Sequence, residues 1–210
     1  MTAPPDDVRV ALEGLGIDAA RIEKLAAYVA LLDVWRRRIN LIGPADQDEI
    51  WRRHVLDSAQ AWSYLTNPTA PLLDLGSGAG LPGLILASLG ATDVTLVDSD
   101  QRKAVFLREA ARTLGLTVQV IAARFDRALA ESGRRYDVVT ARAVAPLVRL
   151  APILADALTP DGYALLHKGA QVEKELTEAR KSWTMQSAEY PSITGSGGRL
   201  IKIWGLARHD

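Results

Sequence analysis

The segment Leu72-Leu73-Asp74-Leu75-Gly76-Ser77-Gly78-Ala79-Gly80-Leu81-Pro82-Gly83 constrains the fold of this chain more than any other. A short strand-like run enters a turn built on alternating glycines, which lets the backbone reverse tightly and lets a ligand come close to it. Pro82 suits the first turn of a helix that follows. Downstream, the same grammar repeats. Short apolar or β-branched runs at Leu72–Leu75, Val94–Val97, Val118–Ala122, Tyr136–Thr140 and Tyr163–Leu166 read as parallel strands buried on both faces. Helical patterns separate them at Pro82–Leu89, Gln101–Leu114, Asp126–Glu131, Pro146–Leu158 and Gln171–Lys181. In the second of these, Leu107, Ala110, Ala111 and Leu114 share one face while Arg102, Lys103, Arg108 and Arg112 share the other. Alternation of this kind predicts βαβ units and a doubly wound α/β sheet.

The chain ends differently. Trp183–Tyr190 and Arg199–Leu206 are strand-like and joined by the loop Thr194-Gly-Ser-Gly-Gly198. Too few residues separate them for a crossover helix, so they should pair antiparallel. Five parallel strands followed by a terminal antiparallel hairpin is the layout of class I methyltransferases, with a Rossmann-like sheet. A dinucleotide-binding fold would continue with more βα units. Ahead of this sheet the first 66 residues read as helical. Ile22, Leu25, Val29, Leu32 and Trp35 mark one buried helix face, and Asp46-Gln-Asp-Glu49 resembles a capping box before Trp51, Val55, Ala59 and Trp62. We therefore expect an N-terminal helical cap over residues 1–70 and one compact methyltransferase-like unit over 71–210.

Composition narrows the chemistry. With no Cys among 210 residues, a disulfide scaffold, a Cys-based zinc site and a thiolate nucleophile are excluded. No metal is expected. The start of the chain has neither a basic nor an apolar region of a signal peptide, and no apolar run approaches the roughly 18 residues of a membrane span, so a soluble, cytoplasmic protein with no membrane partner is expected. Net charge is zero, from 25 basic and 25 acidic residues, but residues 99–127 and 134–149 each carry an excess of three positive charges. Arginine outnumbers lysine 19 to 6. Its planar fork suits phosphates and bases, although a GC-rich genome gives the same bias.

Two readings of the glycine turn compete. Gly78-x-Gly80-x-x-Gly83 matches the dinucleotide fingerprint, with a pyrophosphate on the helix N-terminus. Asp74-x-Gly76-x-Gly78-x-Gly80 matches the first motif of S-adenosylmethionine enzymes. A carboxylate at Asp74 would repel a pyrophosphate and attract a sulfonium or an ammonium, which favours the second reading. Asp98, at the end of the next strand, can accept bonds from ribose hydroxyls in either ligand. After the fourth strand, Asp137-Val-Val-Thr-Ala-Arg142-Ala-Val-Ala-Pro146 lacks the Asn/Asp-Pro-Pro-aromatic element that serves exocyclic amines. Without Cys, C5 methylation of pyrimidines through a thiolate is excluded. A ring nitrogen with a lone pair, such as guanine N7, needs no general base, only proximity and orientation. Arg142 is then the candidate to touch cofactor, phosphate or O6, the alternative being a salt bridge to a nearby acid.

The chain resembles the bacterial small-subunit ribosomal RNA methyltransferase G family, also called the glucose-inhibited division protein B family. The resemblance runs over nearly the whole length. It rests on Trp35…Asn40-Leu41, Arg53-His54-x-x-Asp57-Ser58, Asp74-x-Gly76-Ser-Gly78-Ala-Gly80-Leu-Pro82-Gly83, Val97-Asp98-Ser99, Phe106-Leu107, Arg142-Ala143 and Lys168-Gly169. It implies a methyltransferase fold behind a helical cap, S-adenosyl-L-methionine as cofactor, and methylation of guanine N7 in 16S ribosomal RNA or the small ribosomal subunit. It also implies that Gly76 and Leu81 line the cofactor, that Phe125 and Asp126 flank the adenine, and that Arg142 closes the site. Three departures stand out: Arg36 where Asn is common, Arg102-Lys103 in reversed order, and Asp126 where Glu is common.

His54 and Asp57, at i and i+3, share a helix face and line an RNA pocket or else dock the cap onto the sheet. Arg36, Arg37, Arg38, Arg52 and Arg53 are candidates to grip phosphates, or simply a solvated charged face. Lys168 could reach RNA phosphate, and the neighbouring His167 is read as exposed. A monomer is expected. Rival readings are a small-molecule methyltransferase, a non-catalytic RNA-binding ribosome assembly factor and, more distantly, a dehydrogenase.

Overall fold

The computed structural model of the chain describes residues 3–43, 47–195 and 197–209. Asp46, expected to open a capping box, lies outside them. Helix α1 (Asp6–Gly14) and helix α2 (Ala19–Trp35) come first; Asp18 caps α2 by accepting from the Arg21 amide at 2.8 Å. The buried face of α2 is the one its periodicity marks, with Tyr28 added to Ile22, Leu25, Val29 and Leu32. A second helical run then changes its winding along the way. It begins as α3 (Gln47–Ile50), widens to a π-helix over Trp51–Leu56, returns to α-helical geometry in α4 (Asp57–Ala59) and tightens to a 3₁₀ turn over Gln60–Tyr64. The sequence predicts one uniform helix here. No Pro or Gly marks the change, and π-turns inside α-helices are frequent at functional sites.

The sheet has seven strands: β1 (Leu72–Leu75), β2 (Val94–Val97), β3 (Val118–Ile121), β4 (Tyr136–Arg142), β5 (Leu158–Lys168), β6 (Trp183–Pro191) and β7 (Arg199–Arg208). Their order is β3-β2-β1-β4-β5-β7-β6. The first five run parallel, and β7 lies antiparallel between β5 and β6. All four residues of β1 and of β2 are buried, as strands covered on both faces must be. Strand β5 starts five residues earlier than its apolar run suggests. Leu158 pairs with Tyr136, and the ladder then shifts register before Val138 meets Tyr163.

Helices α5 (Gly83–Leu89) and α6 (Gln101–Thr113) share one face of the sheet with the N-terminal helices. Helices α7 (Phe125–Ser132), α8 (Leu147–Ala157) and α9 (Val172–Ala179) cover the other. The apolar core on the first face is continuous from Val8, Leu12 and Leu25 through Trp51 to Leu84, Leu96 and Phe106. Trp35 meets Phe106 edge to face, with ring centroids 5.7 Å apart, a contact worth about 0.5–1.5 kcal/mol beyond its buried area. No helix among the described residues is long and apolar enough to cross a membrane. The strand order reverses between β1 and β4. In open α/β sheets that switch point leaves a crevice at the carboxyl ends of the strands, where ligands bind.

Candidate active site

Two cavities open at the carboxyl ends of the strands. The smaller, of about 360 Å³, runs from Gly76 past Asp98, Ser99 and Lys103 to Arg124 and Phe125. The larger, of about 600 Å³, lies between the π-helix and β5, lined by Arg53, His54, Asp57, Arg142, His167 and Lys168 among others. The stretch Ala143-Val144-Ala145 borders both. It carries the one positive φ recorded outside glycine among the described residues, 55° at Ala143. A side-chain-bearing residue held there costs about 1 kcal/mol or more and persists only where its surroundings impose it.

The floor of the smaller cleft follows from the glycine turn. Gly76 has φ +65°, and a Cβ on it would stand 2.7 Å from Val144 Cγ2. The Gly78 amide donates to Asp98 Oδ2 at 2.8 Å, and Asp98 Oδ1 accepts from the Asp100 amide, also at 2.8 Å. Asp98 thus fixes the loop and still lines the cleft. Phe125, at the start of α7, lines it too. Gly80 and Leu81 are buried beneath the turn, Leu81 as part of the apolar core, so they shape the floor from below. Asp126 does not reach the cleft. It is exposed, accepts from the Arg127 amide at 2.9 Å, pairs with Arg124 Nε at 3.5 Å and borders a separate cavity with Leu129 and Ile153. An acid in the first turn of a helix is stabilised by the exposed amides there, which holds it on the outer side.

Asp74 requires a correction. The sequence suggests a carboxylate facing the ligand, but the side chain is fully buried. Thr140 Oγ1 donates to its Oδ1 at 2.7 Å and the Gly83 amide to its Oδ2 at 3.1 Å. Register explains this, because Asp74 and Thr140 are direct neighbours in the β1–β4 ladder. Burial raises the carboxyl to about 6, partly offset by these donors. Asp74 therefore ties β1, β4 and the start of α5 together under the turn.

Arg142, the last residue of β4, points into the larger cavity. Its Nη2 donates to the Arg53 carbonyl at 2.7 Å and lies 2.9 Å from His54 Nδ1, while its Nε stands 3.4 Å from Asp57 Oδ2. The salt bridge to a nearby acid is thus present, and it joins the cap to the sheet at the cavity wall, one residue from the stretch shared by both cavities. Burial and the guanidinium groups of Arg142 and Arg53 press the His54 imidazole down to about 4, so the ring is neutral near pH 7.

His167 is not exposed as expected. It pairs with Arg142 across the β4–β5 ladder, is buried, and its Nε2 lies 2.8 Å from the Asp57 carbonyl. Burial lowers its basicity. Lys168 is also drawn inward. Its Nζ donates to the Ala145 carbonyl and to Glu175 Oε2, each at 2.7 Å, and the same Glu175 oxygen accepts from the Leu147 amide at 2.8 Å. Lys168 therefore braces the shared wall, and its ammonium is committed before any phosphate arrives. Among the cap arginines, Arg36 and Arg37 both hold Asp33. Arg52 forks onto Asp7, and Arg53 reaches Glu49 at 3.3 Å while bordering the cavity. Arg38 is exposed.

Several site residues carry no mark in the sequence. Tyr28 sits among aliphatics in α2, yet its hydroxyl reaches the glycine turn. Ala143 and Val144 look like ordinary strand-end residues. Lys103 and Arg149 appear in the basic windows but not as cleft residues. Spacing could have found Glu175, seven residues after Lys168 on the next helix.

Known proteins resemble this chain in sequence and in fold. The family model GidB, described as rRNA small subunit methyltransferase G, matches residues 21–201. Ribosomal RNA small subunit methyltransferase G of Rhodospirillum centenum is 46% identical over 192 residues, spanning 91% of this chain and 88% of that one. Its namesake in Cereibacter sphaeroides is 43% identical over 207 residues, spanning 96% and 98%. Among solved structures, a TehB-like SAM-dependent methyltransferase from Corynebacterium glutamicum superposes with a TM-score of 0.56 at 16% identity, covering 85% of this chain and 98% of that one. Sheet order, terminal strands and N-terminal helices are those of the SAM-dependent methyltransferase fold. With 181 of its 210 residues matched by the family model, the chain belongs to the GidB family of rRNA small subunit methyltransferases.

Proposed function

We propose that the protein transfers the methyl group of S-adenosyl-L-methionine to N7 of a specific guanine in 16S ribosomal RNA, acting as a cytoplasmic monomer on the RNA or the small subunit. The observation that carries this reading is the pair of cavities meeting at Ala143–Ala145. The smaller suits a nucleoside cofactor. Asp98 offers carboxylate lone pairs to ribose hydroxyls, Phe125 an aromatic wall for adenine, and Gly76 the bare backbone that the methionine arm needs. Gly78 keeps Asp98 in place, and Arg142 stands at the junction. When bound, S-adenosyl-L-methionine supplies an electrophilic methyl group on a sulfonium.

The larger cavity suits a flipped purine and offers no strong base. His54 is neutral and turned onto Arg142, while Asp57 takes hydrogen bonds from Gln60 and Ser192. Guanine N7 needs none, because it attacks through a lone pair and releases no proton. With the cofactor bound, its sulfonium would give up the methyl group to this lone pair and leave as a neutral thioether, and the positive charge would end on the purine with no proton asked of the protein. The residues then have only to hold the two partners in line, the task for which effective concentration supplies most of the rate. In this reading residues 1–70 are a cap that supplies one wall of the substrate cavity to the unit over 71–210. RNA phosphates are met by exposed cations, Arg38 on the cap and Arg124 and Arg149 at the smaller cleft, with the half-buried Lys103 beside them.

The test is methyl-labelled S-adenosyl-L-methionine given with the protein to small subunits from a strain that lacks it, followed by digestion of the rRNA to nucleosides. Label in 7-methylguanosine is expected. Label in another nucleoside overturns the target atom. No label, from protein that binds the cofactor, favours a small-molecule methyltransferase or a non-catalytic assembly factor.

A further inference from the structure

Among the side chains that line the larger cavity, the His54 ring has a tautomer fixed by its neighbours. An arginine can only donate, so the 2.9 Å contact between Arg142 Nη2 and His54 Nδ1 requires a lone pair on Nδ1. The neutral ring then carries its hydrogen on Nε2, at the opposite edge from Arg142. A second constraint comes from the backbone. The same Arg142 nitrogen also donates to the Arg53 carbonyl, so this clamp holds the guanidinium to the peptide before His54 as well as to the ring. The clamp sits in the π-helical stretch Trp51–Leu56, where the widened turn displaces His54 from the α-helical position its spacing implies. Arg53, Asp57 and Arg142 are the charged groups against the ring. Burial first, and then the two arginines against the opposing Asp57, keep it from taking a second proton, so the tautomer is not exchanged for an imidazolium.

Purines differ at their sixth position. Guanine carries the acceptor O6 beside N7, whereas adenine carries the donor N6 amine. A fixed N–H in the cavity favours the first and meets the second with donor against donor. We propose that His54 Nε2–H donates to O6 of the target guanine and is the residue that selects guanine over adenine. The proposal rests on the reading of the larger cavity as the site of a guanine methylated at N7. A site built to hydrogen-bond a substrate group discriminates strongly against an analogue that lacks it, because its own polar group is left unpaired. Arg142 acts through His54, as a positioning residue.

The experiment uses small subunits reconstituted with rRNA carrying either guanine or 2-aminopurine at the modified position; 2-aminopurine keeps N7 but lacks O6. Wild-type protein, His54→Leu and His54→Gln are compared by kcat/KM, with thermal unfolding and cofactor affinity as controls. For wild type, the loss of O6 should lower kcat/KM about 10- to 100-fold beyond the intrinsic difference between the bases. His54→Leu should show a similar loss on guanine and little further loss on 2-aminopurine. His54→Gln, which restores a donor at nearly the same reach, should recover much of the preference. Because each base is its own reference, intrinsic reactivity cancels when the variants are compared. An unchanged preference in His54→Leu overturns the role of His54. Failure of the wild type to methylate N7 of the guanine substrate overturns the reading beneath it, and the two failures are distinguishable.

Discussion

The hydroxyl of Tyr28 donates to the carbonyl of Ala79 at 2.7 Å, across 51 positions of sequence. Ala79 lies between two glycines of the turn that floors the smaller cleft, so one helix of the cap holds that turn in place. Burial raises the Tyr28 hydroxyl above its ordinary value, and it stays a donor at any accessible pH.

Tyr28→Phe keeps the ring and removes only this bond. A buried carbonyl left unpaired costs about 1–3 kcal/mol. We expect a loss of stability of that order by urea unfolding, together with a several-fold rise in the Kd for S-adenosyl-L-methionine by calorimetry. An unchanged Kd would mean that the turn holds its shape without the cap.

Asp74 gives a pH signature. Its carboxyl is raised by burial from 3.8 to about 6, with the nearby Asp98 charge adding to the rise. A raised carboxyl contributes stability that is full below its unfolded value and is lost as pH climbs through the folded one. Relative to Asp74→Asn, the wild type should therefore lose stability between about pH 4 and pH 6.5 and change little above that. The slope corresponds to about 1.4 kcal/mol for each unit of the rise. Parallel stability profiles for the two proteins would show that the carboxyl titrates normally.

Gly83 opens α5 against β1 and β2. A Cβ there would lie 2.5 Å from Leu96 Cδ2 and 2.6 Å from Asp74 Cβ, both fixed in the core. Gly83→Ala should cost about 1–3 kcal/mol through overpacking and lower the melting temperature. A melting temperature equal to wild type would indicate that the helix can shift outward without penalty.

Much of this was legible from residues. The strands Leu72–Leu75 and Val94–Val97 occur where their largely apolar runs lie, because strands covered on both faces read as near-continuous apolar runs. The glycine turn marked the cleft for the same local reason. Partners distant in sequence were not legible. A carboxylate before a glycine turn reads the same whether it faces a ligand or Thr140, 66 residues away. His167 reads as a polar strand end, yet the cap closes over it through the Asp57 carbonyl. Leu158 reads as the end of the helical pattern Pro146–Leu158, and only the ladder partner at Tyr136 draws it into β5.

Lys168 illustrates how such partners change a prediction. Its ammonium is held by Ala145 and Glu175, so Lys168→Met should lower kcat by loosening the shared wall. The slope of RNA affinity against salt should stay as in wild type. A slope reduced by about one would instead assign Lys168 a phosphate contact.

The opposite pattern is expected at the cleft mouth. Lys103→Glu and Arg149→Glu should each weaken RNA binding and reduce the salt dependence by about one unit of slope, while thermal stability stays near wild type. Undiminished RNA affinity in both variants would place the RNA path elsewhere.

The most direct test of the two-cavity arrangement is a crystal structure of the protein with S-adenosyl-L-methionine bound. We expect the adenine beside Phe125, the ribose hydroxyls on Asp98, the methionine arm over Gly76 and the sulfonium at the Ala143–Ala145 wall, with the larger cavity left for the base. A cofactor lodged among His54, Asp57 and His167 would contradict the assignment of both cavities.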